Sequence, residues 1–330
     1  MRRAAVLAVC LLAAGGGSAS ADYRPEIAVQ DEAQITCGMS GQRSAALSAA
    51  RMLGATTIRI NAIENMPAHF GCDPVMATLA VAGAGFRPQV TVIGDVQWAR
   101  YLARSVGRYV RTWSVWNEPN LSGWQRGGMD TTSPHTVPVT GNPWTYRRLY
   151  LRVARALRRT DRGREHILIG ELAASRARNG FLSDMTSRRS RTVRADGFAL
   201  HPYAWARGVQ RAGGLRRYLR GWRVELRRLA RQRRLCRPGR GCRPVPIFIT
   251  ESGYFSQPRD GVYHPPEVQA RALPRTWRIA CRAGVRQMLH YQLRDNGQAS
   301  WDTSLLDESG APRPQFDALA GYLRSARGCA

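Results

Sequence analysis

Short apolar runs rich in β-branched residues alternate along this chain with segments of helical period, and no other feature narrows the possible folds so far. The runs lie at 27–30, 57–61, 89–93, 112–116, 167–171, 197–201, 247–251 and 288–293. Each is bounded by turn-forming residues, as buried strands are. Segments with apolar residues three and four apart fall between them, at 44–53, 74–84, 96–106, 144–158, 180–187, 215–233 and 266–283. In 144–158, Tyr146, Leu149, Tyr150, Val153 and Leu157 share one face; in 215–233, Leu215, Tyr218, Leu219, Trp222, Leu226 and Leu229 do the same. Such stripes pack on a sheet. The alternation predicts an α/β protein with a parallel sheet. Eight strands in a chain of this size predict a (β/α)8 TIM barrel as a single domain. An open nucleotide-binding sheet needs a glycine-rich turn directly after its first strand. Ala82-Gly83-Ala84-Gly85 follows a helical segment instead and reads as a helix stop.

Arg2 and Arg3, the apolar run 4–14 and Ala19-Ser20-Ala21 have the charged, apolar and small-residue parts of a secretory signal. Residues 1–21 are therefore expected to be a signal peptide and 22–330 the functional domain. A membrane anchor needs roughly 20 apolar residues, more than this run supplies. A lipid anchor on Cys10 is the main rival, but no small-residue lipobox precedes that cysteine. The expected location is secreted, extracellular or periplasmic, with no membrane span. Six cysteines remain after the signal: Cys37, Cys72, Cys236, Cys242, Cys281 and Cys329. An even number in an exported chain argues for disulfides. Pairing nearest in sequence gives Cys37–Cys72, Cys236–Cys242 and Cys281–Cys329, one choice among several. None has the spacing of a zinc site, so neither metal nor cofactor is expected.

The formal charge is +27, and all 50 basic residues are arginine. Missing lysine points to a coding bias rather than to a binding function. The arginines are spread over polar helix faces, the pattern of a solvated surface. No nucleic-acid partner is expected, although a basic exterior does favour encounter with anionic polymers. No exposed apolar stripe demands a partner chain, so a monomer is expected.

Two glutamates carry the chemistry. Glu118 sits in WSVWNEPN (113–120) and Glu251 in PIFITESGY (246–254), each at the end of an apolar run. Carboxylates at the ends of two barrel strands open on one rim, which is the arrangement that cleavage of a glycosidic bond requires. Asn117 adjoins Glu118, and its amide can bond a sugar hydroxyl. Arg59 and His201-Pro202-Tyr203 end other strands. Glu171 also closes a strand and reads as structural or as a support behind the site residues. The long polar loop 122–142 follows Glu118 directly and is expected to wall the cleft. Trp124 in that loop, Trp301 in a later one, and Trp116 and Trp205 beside motif residues are candidate sugar platforms. Trp144, Trp222 and Trp277 fall on helical segments and read as core. Asp95 and Asp295 are rim candidates, with helix capping as the plainer role.

The phrase WNEPNL (116–121) resembles the acid/base motif of family 39 of the retaining glycoside hydrolases of clan A. ITESGY (249–254) is similar to the nucleophile segment of family 5 and 39 members. LGATTIRIN, ADGFALHPY and MLHYQLRDN follow the order of the remaining pieces, so the likeness runs from about residue 30 to 319. The resemblance implies Glu118 as acid/base and Glu251 as nucleophile. It also implies that Asn117 binds the sugar 2-hydroxyl, Arg59 keeps Glu251 ionised, and His201 and Tyr203 orient the two carboxylates. Strand eight departs from the pattern, ending Tyr291-Gln292-Leu293 where many members carry a stacking tryptophan; Trp301 is the candidate replacement. Retention of configuration is expected, with carboxyl groups about 5 to 5.5 Å apart. The substrate is a polysaccharide or oligosaccharide, and a xylan, β-glucan, mannan or rhamnose-containing chain all fit. The alternative function is a barrel at the cell surface that binds carbohydrate or an anionic polymer without cleaving it.

Overall fold

Parallel hydrogen bonding closes the eight apolar runs into a ring. The computed structural model describes residues 24–64, 71–121, 141–160, 165–174, 178–187, 191–203, 212–256, 263–297, 302–325 and 329. Its barrel strands are β1 (Glu26–Gln30), β2 (Thr57–Ile63), β3 (Arg87–Ile93), β4 (Thr112–Val115), β5 (His166–Ala173), β6 (Gly197–His201), β7 (Ile247–Ile249) and β8 (Gln287–Tyr291). Each pairs with its sequence neighbours, and β8 returns to β1 with Gln287 opposite Glu26. The expected closed barrel is the observed one. A small parallel pair, Val193–Arg194 with Leu235–Cys236, lies outside the ring.

Among the described residues, eight α-helices flank the barrel: α1 (Ser40–Leu53), α2 (Pro74–Gly83), α3 (Val96–Val106), α4 (Pro143–Thr160), α5 (Arg178–Met185), α6 (Ala212–Arg231), α7 (Pro266–Arg282) and α8 (Pro314–Ser325). The stripes read from α4 and α6 are buried, down to Tyr146, Leu219 and Leu229 at zero exposure. Fully burying one such leucine is worth about 1.5–3 kcal/mol. Asp73 starts α2 by accepting from the amides of Val75 and Met76, and Pro74 at the first turn needs no donor there. Asp95 does the same for α3. Of the two rim aspartates, Asp95 is thus a cap, and Asp295 is an ion-pair partner of Arg313 at 2.6 Å.

Several boundaries differ from the reading. Runs expected to reach 116, 251 and 293 leave the ladder at Val115, Ile249 and Tyr291. Trp116 takes φ +66°, outside extended geometry, and the Gln292 amide turns to the Thr303 hydroxyl at 3.0 Å. β5 runs two residues further than expected, so Glu171 lies inside it instead of closing it. A π-helical turn, Glu32–Thr36, follows β1 and was not anticipated; nor was α8, whose stripe of Phe316, Leu319 and Ala320 is short. Trp222 and Trp277 are core, but Trp144 is 43% exposed because it opens α4 on the side away from the sheet. Cysteines pair as nearest neighbours in sequence: Cys37–Cys72, Cys236–Cys242 and Cys281–Cys329. Exposed arginines lie on α1, α3, α4, α6 and α7, all around the ring. No helix among the described residues is long and apolar enough to cross a membrane.

Candidate active site

Arg59 of β2 organises a cluster of buried polar side chains in the barrel. Its side chain is fully buried, so each guanidinium donor needs an acceptor. Nε donates to the Thr91 hydroxyl at 2.9 Å. One Nη reaches Oε1 of Glu251 at 2.6 Å and also Gln30; the other reaches Oδ1 of Asn117 at 2.9 Å and Oε2 of Glu171 at 3.1 Å. Strand positions on β1, β2, β3 and β5 and the turns after β4 and β7 therefore converge on one cation. Asn117 commits its oxygen to Arg59, which leaves its NH2 as the donor available to a sugar hydroxyl.

Glu118 and Glu251 reach this centre from opposite sides of the ring. Past β4 the chain turns sharply: Trp116 has φ +66° and Glu118 φ +46°, left-handed conformations that cost a non-glycine residue energy and gather at functional sites. The turn is held by the Glu118 amide donating to the Glu171 carbonyl at 3.0 Å. Asn120 adds a two-way clasp with the Ala173 backbone, at 3.0 and 3.1 Å. Past β7, Thr250 still donates to the Leu200 carbonyl at 3.1 Å, after which Glu251 is free of the ladder. Gly253 permits the close approach that follows, since a Cβ there would stand 2.7 Å from both Thr303 and the Tyr291 carbonyl.

The two carboxylates have different partners. Glu251 is ion-paired with Arg59 through Oε1 and accepts from the Tyr203 hydroxyl at 2.7 Å through Oε2. Tyr203 packs beside Phe255, rings 6.2 Å apart. Glu118 meets Nδ1 of His201 at 3.0 Å. Burial pushes the Glu118 carboxyl above its ordinary range; the His201 contact opposes this, and the charge of Glu251 adds to it. Nδ1 of His201 is also 3.5 Å from Glu251, and its Nε2 is 2.6 Å from Oε2 of Glu171. Burial alone would lower the His201 pKa, but Glu251, Glu118 and Glu171 together push it up to about 10. Burial likewise works against ionised Glu171, yet Arg59 and His201 hold it down at about 2.

Of the eight site residues named from sequence, six come together in one cluster: Glu118, Glu251, Asn117, Arg59, His201 and Tyr203. Trp124 and Trp301 lie outside the described residues, as does Trp205. Trp116 is 1% exposed and packs in the core, because the left-handed turn points it inward. Two further carboxylates join the cluster. Glu171, expected to be structural or to support the site, is one, and it supports the site through Arg59 and His201. Glu32, not named among the candidates, is the other. It opens the π-helical turn beyond β1, accepts from Asn61 at 2.7 Å and from Gln30, and leaves Oε2 buried without a bond. Burial and the charge of Glu251 push Glu32 up to about 7. Its signal was its position, two residues past a strand end on the same rim.

One oxygen each of Glu118 and Glu251 and a ring nitrogen of His201 lie within 4.8 Å of one another, a spacing that also suits a cation. A cation there would face the guanidinium 2.6 Å from Glu251 and would have to displace the protons that His201 and Tyr203 share with these oxygens. The donor set fits a pair of carboxylates bridged by protons better than it fits a metal.

No protein-family model matches the chain, and no curated protein matches it. Solved structures do. A family 39 glycoside hydrolase from the gut symbiont Bacteroides cellulosilyticus is 16% identical with a TM-score of 0.63, the match covering 92% of this chain and 64% of that one. GH5_18 from Streptomyces cattleya, in complex with GlcNAc, is 14% identical with a TM-score of 0.60 over 91% and 80%. A beta-glucosidase from Exiguobacterium marinum is 14% identical with a TM-score of 0.58 over 88% of each chain. The protein thus shares the closed parallel barrel of solved glycoside hydrolases. It spans less than two thirds of the length of the first of them.

Proposed function

We propose that the protein is a retaining β-glycosidase that acts on a polysaccharide or oligosaccharide by double displacement. The carrying observation is the approach of Glu118 and Glu251 to within 4.8 Å, oxygen to oxygen, with unlike partners. Inverting enzymes hold their carboxyls about 6.5–9.5 Å apart to admit water between them, and retaining ones about 5–5.5 Å apart. Their chemistry separates along the same line. Glu251 has a cation and a phenol to support negative charge, which an attacking carboxylate needs. Glu118 has burial and a neighbouring anion to keep its proton, which an acid needs.

In the first step an oxygen of Glu251 bonds the anomeric carbon. The glycosidic C–O bond breaks, and the Glu118 proton passes to the departing oxygen. Esterified Glu251 no longer carries charge, so the influence that held the proton on Glu118 is gone. Glu118 then takes a proton from water as that water attacks the anomeric carbon, and Glu251 leaves as carboxylate. The Asn117 NH2 donates to a sugar hydroxyl during both steps, and Glu32 Oε2 is an acceptor for another. The reading extends to secretion: the signal-like residues 1–21 and three disulfides both support an extracellular setting.

A panel of nitrophenyl glycosides tests the proposal, with Glu251→Gln as control. Hydrolysis of one or more members by the wild type and its loss in Glu251→Gln is the expected result. Equal turnover by both, or binding of oligosaccharides with no turnover by either, would leave a non-catalytic barrel as the better reading.

A further inference from the structure

The geometry points to Glu171 as a positioning residue for this reaction, a buried carboxylate that keeps His201 doubly protonated and so decides which oxygen of Glu118 carries the catalytic proton. The inference rests on the reading of Glu118 as the acid, and it starts from an irregularity in the barrel. The register between β5 and β6 shifts between Ile169 and Leu172, so Gly170 and Glu171 form a bulge. Gly170 has φ +113° and Glu171 φ +50°. Only glycine suits the first of these, and a Cβ there would also stand 2.7 Å from the Ala199 carbonyl. Bulges beside active sites re-aim side chains. Here the bulged residue ends up fully buried against Arg59 at 3.1 Å, His201 at 2.6 Å and the Thr250 hydroxyl at 2.7 Å.

A charge count gives the bulge its purpose. Arg59 balances one anion, and Glu251 is that anion in a site without Glu171. With Glu171 added, a second cation makes the cluster neutral, and His201 is the group in contact with both Glu171 and Glu118. Buried charge is tolerated when it is paired and hydrogen-bonded in this way. The other groups that face the pair are Ser114 of β4, the Tyr203 and Glu251 turns after β6 and β7, and Tyr146 of α4, which bonds the Gly170 amide at 2.8 Å. Glu32 faces Glu251 from the π-helical turn after β1, and Tyr291 from β8. None of these supplies a cation other than Arg59.

The consequence is a fixed direction for each proton. An imidazolium donates from Nε2 to Glu171 and from Nδ1 to Oε1 of Glu118. Oε1 is then an acceptor, and the proton of Glu118 must sit on Oε2, away from the histidine. A neutral ring that kept its proton on Nε2 would present a lone pair at Nδ1, draw the Glu118 proton onto Oε1, and point it away from the substrate. After Glu251 is esterified, the same imidazolium favours the ionised form of Glu118, the base of the second step. Glu171 touches no substrate and acts through His201 alone.

Nitrogen-15 NMR of the histidine side chains, with His201 assigned by its loss in His201→Gln, reads the claim directly. In the wild type both ring nitrogens of His201 are expected to stay protonated from neutral into mildly alkaline pH. In Glu171→Gln the ring is expected to be neutral at neutral pH. Its kcat should be lower by on the order of 10²-fold, the scale of a misdirected catalytic group, with KM little changed and the alkaline limb of kcat moved to higher pH, because Glu118 loses the neighbouring cation that favours its ionised form. Glu171→Asp, which keeps the charge, should restore the imidazolium and part of kcat. A wild-type His201 with a single protonated nitrogen at neutral pH overturns the proposal even if no variant folds. So does a Glu171→Gln protein that keeps the imidazolium and the wild-type alkaline limb. A wild type that hydrolyses no glycoside, yet shows an imidazolium that vanishes in Glu171→Gln, would sink the glycosidase reading and leave the hold of Glu171 on His201 standing.

Discussion

Arg59 and Glu251 lie 192 residues apart in the chain and 2.6 Å apart in the barrel, guanidinium to carboxylate. The contact joins β2 to the turn after β7 across the ring. It also competes for the same cation with Glu171, Asn117, Gln30 and Thr91. A planar fork can serve all five, which an ammonium cannot. Arg59→Lys is therefore expected to lose on the order of 1–3 kcal/mol of stability from buried acceptors left unpaired, and on the order of 10²-fold in kcat/KM. Urea unfolding and steady-state kinetics check the two halves. Wild-type stability with lost activity would mean that the network is not structural.

Glu118→Ala removes the proton donor and leaves the nucleophile. Turnover of glycosides with poor leaving groups is expected to fall by roughly 10² to 10⁴-fold. Dinitrophenyl glycosides, whose leaving group needs no proton, should lose far less in forming the intermediate. Azide should then rescue its breakdown and give a glycosyl azide of retained configuration. An equal loss for both leaving groups, without rescue, would remove Glu118 from the acid role.

The buried charges also set a pH profile for stability. Glu171 sits at about 2 in the fold, where burial is outweighed by Arg59 and His201; an unfolded glutamate sits at about 4.3. Its contribution is present above the unfolded value and is lost as pH falls through about 2. His201 sits at about 10, where burial is outweighed by Glu251, Glu118 and Glu171, against about 6.5 unfolded. Its contribution is full below the unfolded value and is lost as pH rises toward about 10. Asp31 and Glu32, raised by burial to about 6 and 7, favour the fold at lower pH and oppose Glu171 over part of the acid range. Denaturant midpoints should fall from neutral to alkaline pH in the wild type and stay flatter in His201→Gln. Parallel profiles for the two proteins would contradict the assignment.

The Cys37–Cys72 bridge ties the turn that carries Glu32 to the start of α2 and closes a 35-residue separation. A loop of that length is worth about 3–4 kcal/mol of constraint on the unfolded chain. Cys37→Ala/Cys72→Ala should lose about that much in urea unfolding, part of it from the buried Cys72 side chain. A change under about 1 kcal/mol would mean that the unfolded chain is not constrained by this bridge in the way loop entropy requires.

How far the sequence disclosed all this depends on the length scale of each feature. Barrel strands and helices were legible because their periodicity is local: the α6 stripe from Leu215 to Leu229 can be read with no partner in view. Glu118 and Glu251 were legible because each sits in a contiguous phrase beside a strand end. Glu171 was legible only in part, as a strand-end carboxylate of structural or supporting role. Its contacts come from a register shift against β6 that turns an ordinary strand residue inward, and register is a property of two strands. Glu32 stayed hidden because a π-helical turn, and not a continuing strand, aims it. Trp144 departs from the core expectation because membership of a helix does not by itself imply burial, and the first turn of α4 leaves this ring exposed. The pairs of Arg59 with Gln30, Thr91 and Asn117 join residues 29 or more positions apart, beyond any local pattern.

The bond between Glu251 and a sugar is the most direct thing to measure. Intact-protein mass spectrometry after incubation with activated 2-deoxy-2-fluoro glycosides, followed by peptide mapping, should find one glycosyl unit per chain on Glu251. The adduct should be absent in Glu251→Gln. Hydrolysis of ordinary glycosides without any adduct, or an adduct on another carboxylate, would contradict the assignment of Glu251 as the nucleophile.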